Sequence, residues 1–549
     1  MRLGLRQTAD KLFTALTILA VAAIAAALGI ILLPILARGS RAVVFRGTIE
    51  FRKLEFDMHK RGSETDLRAE LSASDEARKP VYELLDRFES VVETSGMEKE
   101  ARDVYDAIAK DLERENVASD RKLALRRMAR RQRNSLWEAF RGEDKAEAMK
   151  ALDAVLALKI EGGMKAELWD KFHQLADRYR KTLNEADIAR RNEYRRSLRD
   201  VSEGVRKLLG PRPGAKQPVL AENRYGATRW EQAIEMLDDI VDSEQWVFQG
   251  PGKPLVKERV SREKVFAGTS LEPLFGILRK NLGSMLRPRQ AFYWQYFIDD
   301  STPGHFLGGV GPEILGTLIL TVLSILLALP LGIIAAAYLV EVAGENAPAN
   351  FIRMCINTLA GVPSIVFGLF GMAFIVLWLL PRFGLASQPC VLSAALTLAI
   401  LILPIIIRAS EEAIRAVPAA YKEAALALGA GRLRCFLTVQ LPVALPGILT
   451  GVILAMSRAA GETAPILFTG AVALGPALKL FGRPLGGWLF SPTRALSYGS
   501  YDIAVSDRVA MTAPYQQYGM VITLIGLVVI LNLAAILLRF HVSRKLRGR

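Results

Sequence analysis

Leu12 to Ala37 form a run of 26 residues without one charged side chain. A helix needs roughly 20 apolar residues to cross the hydrocarbon of a bilayer. The apolar core of a secretory signal peptide is only about 7–15 residues long. Arg2, Arg6 and Lys11 precede the run, and Arg38, Arg41 and Arg46 follow it in place of a small-residue cleavage site. The segment therefore reads as a retained membrane anchor. Five more spans are expected near 312–340, 355–380, 391–407, 441–470 and 514–538, broken by Pro330, Pro363, Pro404, Pro446 and Pro465. Neighbouring helices satisfy the carbonyls that such prolines free. A single soluble globule and a disordered chain are both excluded.

Six spans place both termini on one side, and the basic tail Arg544, Lys545, Arg547 and Arg549 makes that side cytoplasmic. The 408–440 loop then lies inside with Arg408, Arg415, Lys422, Arg432 and Arg434. The 473–513 loop lies outside and carries Lys479, Arg483, Arg494 and Arg508, against the rule. Of the 71 Lys+Arg and 56 Asp+Glu, residues 41–300 hold 50 and 46, so the positive excess belongs to the membrane part. It points to orientation in a membrane and contact with lipid, with no nucleic-acid partner. Cys355, Cys390 and Cys435 and the four histidines His59, His173, His305 and His541 are scattered. They offer no disulfide framework and no metal spacing. A Walker phosphate loop is absent too. No catalytic residue, metal or cofactor is expected, and ATP would have to be hydrolysed by another subunit.

The chain divides into 1–40, a cytoplasmic start and first span; 41–302, an external insertion; and 303–549, a five-helix core. Phe45, Ile49, Phe51, Leu54 and Phe56 alternate imperfectly, a weak strand signal. A small sheet is expected where 43–57 meets 246–266. From about 64 to 210 the periodicity is helical, as in Ala148, Leu152, Val155, Leu156, Leu158 and Ile160. Gly162-Gly163 interrupts one helix and Gly210 to Gly214 ends the next. Trp230, Ile234, Leu237, Ile240 and Val241 mark another amphipathic helix. The basic run Arg121 to Arg133 reads first as a solvated helix face, with anionic headgroups or a partner subunit as the other reading.

The strongest local signal is Glu423-Ala424-Ala425, then Gly429 after three residues, then Val439-x-Leu441-Pro442 after nine more. Glu-Ala-Ala is a strong helix former, its small residues leave a smooth face, and Gly429 permits the stop. This is a short docking helix held between two spans. The pattern resembles the coupling loop of binding-protein-dependent ABC importer permeases. Gly311 to Thr317, Pro330 to Gly332, Asn357 to Gly368 and Arg458 to Pro465 resemble the phosphate-specific, PstA-type branch. The resemblance covers the first span and about 303–549. It implies an all-α membrane protein with the six-helix fold of type I importer permeases. It also implies a cytoplasmic ATP-binding subunit dimer docked on the loop, a sister permease subunit, a periplasmic phosphate-binding protein and inorganic phosphate as cargo.

Arg458 and Glu462 lie four positions apart, so on a helix they share a face, inside a stretch from 435 to 478 that is otherwise charge-free. Charges at such depth line cavities and pair with one another. A guanidinium fork suits a tetrahedral oxyanion, and a nearby carboxylate lets the anion leave. The other reading is an ion pair that only fixes packing. In the related permeases these Arg and Glu positions are implicated in phosphate passage. Thr463 and Thr469 either add hydroxyl donors or satisfy their own backbone. Arg408 is a topology anchor or an exit-side contact. Gly361, Gly368 and Gly371 are expected at close helix contacts, and Pro363 and Pro465 at unwound points. Rival readings are a permease for sulfate, molybdate or phosphonate, the sister phosphate permease, and a membrane sensor with a helical external domain.

Overall fold

The computed structural model describes residues 2–114, 118–158, 166–183, 185–215, 224, 227–247, 256–301, 308–472, 487–505 and 514–546. The Gly162-Gly163 break, His305, the 473–486 and 506–513 stretches with Lys479, Arg483 and Arg508, and the tail residues Arg547 and Arg549 lie outside them. The chain forms two units, Met1–Phe45 with Ala291–Arg549, and Arg46–Gln290.

The first unit is that of a multi-pass membrane protein. Six helices are long and apolar enough to cross a bilayer: Lys11–Ala42, Gly311–Val342, Ser364–Arg382, Val391–Arg415, Arg432–Gly461 and Tyr515–Lys545. Their bounds differ from the expected ones in two instructive places. The expected span 355–380 is two helices, Ala347–Ala360 and Ser364–Arg382, parted at Gly361-Val362-Pro363. Pro363 lacks an N–H and pushes Val362 out of the helical region. The expected span 441–470 ends at Gly461; Glu462 is extended, and a short helix Ala464–Thr469 follows. Pro330, Pro404 and Pro446, by contrast, lie inside continuous helices.

The fourth span is the most enclosed and organises the bundle. Ala328, Phe367, Ala399, Leu401, Ile402, Ile406, Ala455 and Ala459 form one buried cluster from the second to fifth spans. Small residues let the backbones close in: a Cβ on Gly447 would stand 2.7 Å from Ala413, and one on Gly332 2.5 Å from Ile406. The first span differs. Its apolar side chains are exposed over most of its length, and it meets the sixth span at Gly39 and Arg38, whose Nη1 donates to the Tyr518 hydroxyl at 2.9 Å.

The second unit is mainly helical, with two cores. Ser95–Arg114, Ser119–Arg141, Lys145–Leu156 and Ala166–Thr182 bury Leu136, Phe140, Leu152 and Phe172. Glu64–Val92, Arg191–Leu209, Trp230–Val241 and Pro273–Leu286 bury Phe88, Tyr194, Phe266 and Phe275 among aliphatic residues. Gly210, at φ +93°, ends the helix before it as expected. The basic run lies on Ser119–Arg141, with Arg126, Arg127, Arg130 and Arg131 exposed. Arg133 stacks over Tyr105 and Trp137 at 4.7 and 4.5 Å, as a solvated face does.

The expected sheet is corrected. Val44–Gly47 is a strand, but Ile49–His59 is a helix. The 242–247 strand pairs antiparallel with 256–261, and the partner of 44–47 is 289–292. Ile49, Glu50, Lys53 and Leu54 are buried at helical spacing, and two of them are charged, which an apolar pattern does not reveal. Arg78, fully buried on another helix, partners Glu50, and its Nε and Nη2 donate to the Met285 carbonyl at 3.1 and 2.9 Å. It thereby closes the C-terminal end of Pro273–Leu286. Arg78 Nη2 also donates to Glu50 Oε1 at 3.2 Å, and Arg224 pairs with the same oxygen.

Candidate functional site

The fifth span carries the intramembrane charges. Arg458 stands in the last turn of its helix, and Glu462 lies just past the end at φ −75°, ψ 130°. The pair is closed, Arg458 Nε to Glu462 Oε1 at 3.4 Å, although Glu462 has left the helix whose face it was expected to share. The side chains are 37% and 16% exposed, so the guanidinium keeps an open side. Ser497 Oγ donates to the Glu462 carbonyl at 3.0 Å and helps fix the break.

Thr463 sits in the break, half-buried, and its carbonyl accepts from Leu467 N. Thr469 is fully buried, and its hydroxyl donates to the Pro465 carbonyl at 2.7 Å, so it satisfies its own helix. Pro363 and Pro465 both flank interruptions, as expected. Gly368 would place a Cβ 2.8 Å from the Ala464 carbonyl, and Gly371 meets Thr397 and Thr469. The third and fifth spans thus meet just beyond their breaks. Gly361 makes no such close approach; it lies in the turn itself.

Gly447 faces Ala413 and Gly451 faces Ala409, which sets the antiparallel register of the fourth and fifth spans. At about 1.5 Å per residue, Arg458 stands level with the middle of Val391–Arg415. Arg408 lies roughly 9 Å nearer the Arg415 end by the same rise. Arg408 is exposed and has no hydrogen bond or ion pair among the described residues.

The Glu-Ala-Ala segment forms the helix Ala419–Ala427, none of whose residues is buried. Its end has full Schellman geometry. Gly429 has φ +82°, Gly429 N donates to the Leu426 carbonyl at 3.0 Å, and Ala430 N donates to the Ala425 carbonyl at 3.1 Å. Glu423 and Ala424 point to solvent, Ala425 is half-buried, and Leu428 and Leu433 are 89% and 72% exposed. The leucines are what the sequence reading missed; the polar-to-small motif drew attention away from the apolar residues beside it.

A second missed cluster lies at the opposite end of the second span. Arg494 pairs with Asp300 and, at 3.5 Å, with the fully buried Glu313. The same stretch closes the start of the fourth span: Val391 N and Leu392 N donate to the Ser491 and Leu489 carbonyls at 3.0 Å each. Its traces in the sequence were the basic excess of 473–513 and the Gly311 to Thr317 stretch that contains Glu313.

A family model of binding-protein-dependent transport system inner membrane components matches residues 328–548. The phosphate transport system permease protein PstA 1 of Mycobacterium tuberculosis is 33% identical over 261 residues, covering 46% of this chain and 77% of that protein. The probable ABC transporter permease protein YqgI of Bacillus subtilis is 32% identical over 244 residues, covering 44% and 80%. Among solved structures, an inward-facing MetNI methionine ABC transporter aligns with TM-score 0.30 at 19% identity, over 44% of this chain and 94% of that one.

Proposed function

This chain belongs to the PstA-type branch of the binding-protein-dependent inner-membrane transport components, and from that premise we propose that it forms half of the translocation pathway of an ATP-driven inorganic phosphate importer. The subunit hydrolyses nothing itself. A cytoplasmic ATPase dimer binds at Glu423, Ala424, Ala425 and Gly429, a sister permease completes the pathway, and a periplasmic binding protein delivers phosphate. Both termini face the cytoplasm and the insertion 41–302 faces the periplasm.

The carrying observation is the placement of Arg458 and Glu462 at a break in the fifth span, level with the middle of the fourth. An ion pair that served packing alone would be enclosed. This one leaves the guanidinium more than a third exposed, with bidentate donors available to an oxyanion. Glu462 opposes the anion and keeps its residence short, as passage requires. Thr463 lies in the same break with its hydroxyl available. Arg408, exposed and unpaired toward the inner end, is the second cation on the route. Interrupted helices near the midplane are where transporters place their substrate sites.

Uptake of radiolabelled phosphate by phosphate-starved cells lacking the chain tests this reading. Cells complemented with wild type are expected to recover uptake that excess unlabelled sulfate does not inhibit, and Arg458→Ala is expected not to restore it. Sulfate competition would move the substrate to another oxyanion. No recovery with all partners present would remove the phosphate assignment.

A further inference from the structure

The helix Ala419–Ala427 is nine residues long and buries none of them. Alone in water such a helix is too short to persist. Its main side-chain tether is Lys422, whose Nζ donates to Glu341 Oε2 at 2.6 Å. The other oxygen of Glu341 accepts from Gln440 Nε2 at 3.0 Å. Cys435 Sγ closes the group by donating weakly to the Lys422 carbonyl at 3.8 Å. Three elements therefore converge on one carboxylate: the inner end of the second span, the docking helix, and the start of the fifth.

Both ends of this clasp lie in widened helical turns. Glu341 belongs to Tyr338–Val342, where Ala343 N reaches back five residues to the Tyr338 carbonyl at 2.9 Å. Gln440 belongs to Phe436–Gln440, closed by the same kind of bond from Leu441 N to the Phe436 carbonyl. Such turns are rare and concentrate at functional positions. Here one supplies the carboxylate that holds the lysine, and the other supplies the amide that braces that carboxylate. A single ion pair with Lys422 40% exposed adds little to stability. Its significance is connection: covalently the docking helix moves only with the fourth and fifth spans.

We propose that Glu341 is a positioning residue that passes displacement of the docking helix into the second span, with Lys422 as the handle and Gln440 as the brace. This rests on the importer reading above. A push on Ala419–Ala427 then moves the second and fifth spans together, on two sides of the enclosed fourth. Without the carboxylate the docking helix still binds its ATPase, but its motion reaches the second span only through side-chain packing.

The test uses the whole importer in proteoliposomes, with phosphate uptake and ATP hydrolysis measured together for wild type, Glu341→Ala, Glu341→Lys, Lys422→Glu and the Glu341→Lys/Lys422→Glu exchange. The single variants are expected to retain the ATPase subunit and to lose about tenfold in phosphate moved per ATP. The exchange is expected to recover most of it, and hydrolysis by the retained ATPase in the single variants separates lost coupling from a merely structural loss. Wild-type coupling in Glu341→Ala would overturn the clasp, as would an exchange no better coupled than either single. Failure of wild type itself to move phosphate would strike the importer reading instead.

Discussion

Arg458 Nε and Glu462 Oε1 meet at 3.4 Å across a helix end, one residue in the last turn and the other beyond it. The four-residue spacing that sets them on one face of a continuous helix here bridges a discontinuity. The carboxylate is held by an extended backbone, anchored through its carbonyl by Ser497. Its position relative to the guanidinium therefore depends on whether the break opens or closes. That coupling of geometry to charge is the basis of the part in transport proposed for the pair.

Arg458→Ala is expected to lower phosphate uptake by at least about tenfold, since a hydrogen bond to a charged group contributes roughly 1.5–3 kcal/mol. Assembly with the partner subunits, read by co-purification, is expected to survive. Loss of assembly would assign the pair to packing.

Gly429→Pro and Glu423→Lys are expected to leave the membrane bundle folded and to uncouple ATP hydrolysis from uptake. Proline fixes φ near −65°, against the +82° found at Gly429, so the Schellman end is lost while the spans are untouched. Normal coupled uptake in either variant would remove the docking assignment.

Leu428→Asp probes the exposed leucine beside the motif. A side chain 89% exposed contributes little to the fold of the isolated subunit. Thermal unfolding of the purified chain is expected to be unchanged, while retention of the ATPase subunit on an affinity column falls severalfold. Full retention would show that the partner does not cover this residue.

The inserted unit makes a pH prediction. Tyr82 is buried, and burial pushes its hydroxyl up from 10.0 to about 12 against the opposing pull of Arg78 and Arg224. The folded form holds this proton more tightly than the unfolded one. The contribution is therefore complete below pH 10 and is lost as pH rises to about 12. Two pKa units correspond to about 2.7 kcal/mol. Tyr82→Phe is expected to flatten the fall in stability over that window, as followed by thermal unfolding against pH. An unaltered alkaline profile would assign the transition elsewhere.

Arg78→Ala is expected to cost the same unit about 3–5 kcal/mol, because it takes one of two arginine partners from the buried Glu50 and uncaps the Met285 carbonyl. Chemical denaturation of the full chain read at the tryptophans checks it. A loss below about 1 kcal/mol would mean that solvent reaches the cluster.

The spans and the docking motif were legible because their signals are local. A charge-free run of sufficient length has few alternatives to a membrane helix, and a glycine after Glu-Ala-Ala marks a stop by chirality alone. The breaks at 361–363 and 462–463 were half legible. Pro363 and Pro465 marked them, yet Pro330, Pro404 and Pro446 look alike in sequence and lie in unbroken helices. The clasp at Glu341 reaches across 99 positions at its longest, and Arg494 and Glu313 lie 181 positions apart. No local pattern encodes such contacts. Residues 49–54 misled for a related reason, since the partner of the buried Glu50 is Arg78 on another helix.

Gly429 also carries a consequence for handedness. Its φ of +82° is the mirror image of an ordinary helical turn, where an L side chain costs about 1–2 kcal/mol. A D-alanine there would meet no such penalty. Introduced by semisynthesis, it would preserve the helix end while narrowing the conformations open to the unfolded loop. At the end of the proposed docking helix, glycine is thus the genetically encoded residue that escapes the penalty, because it is achiral.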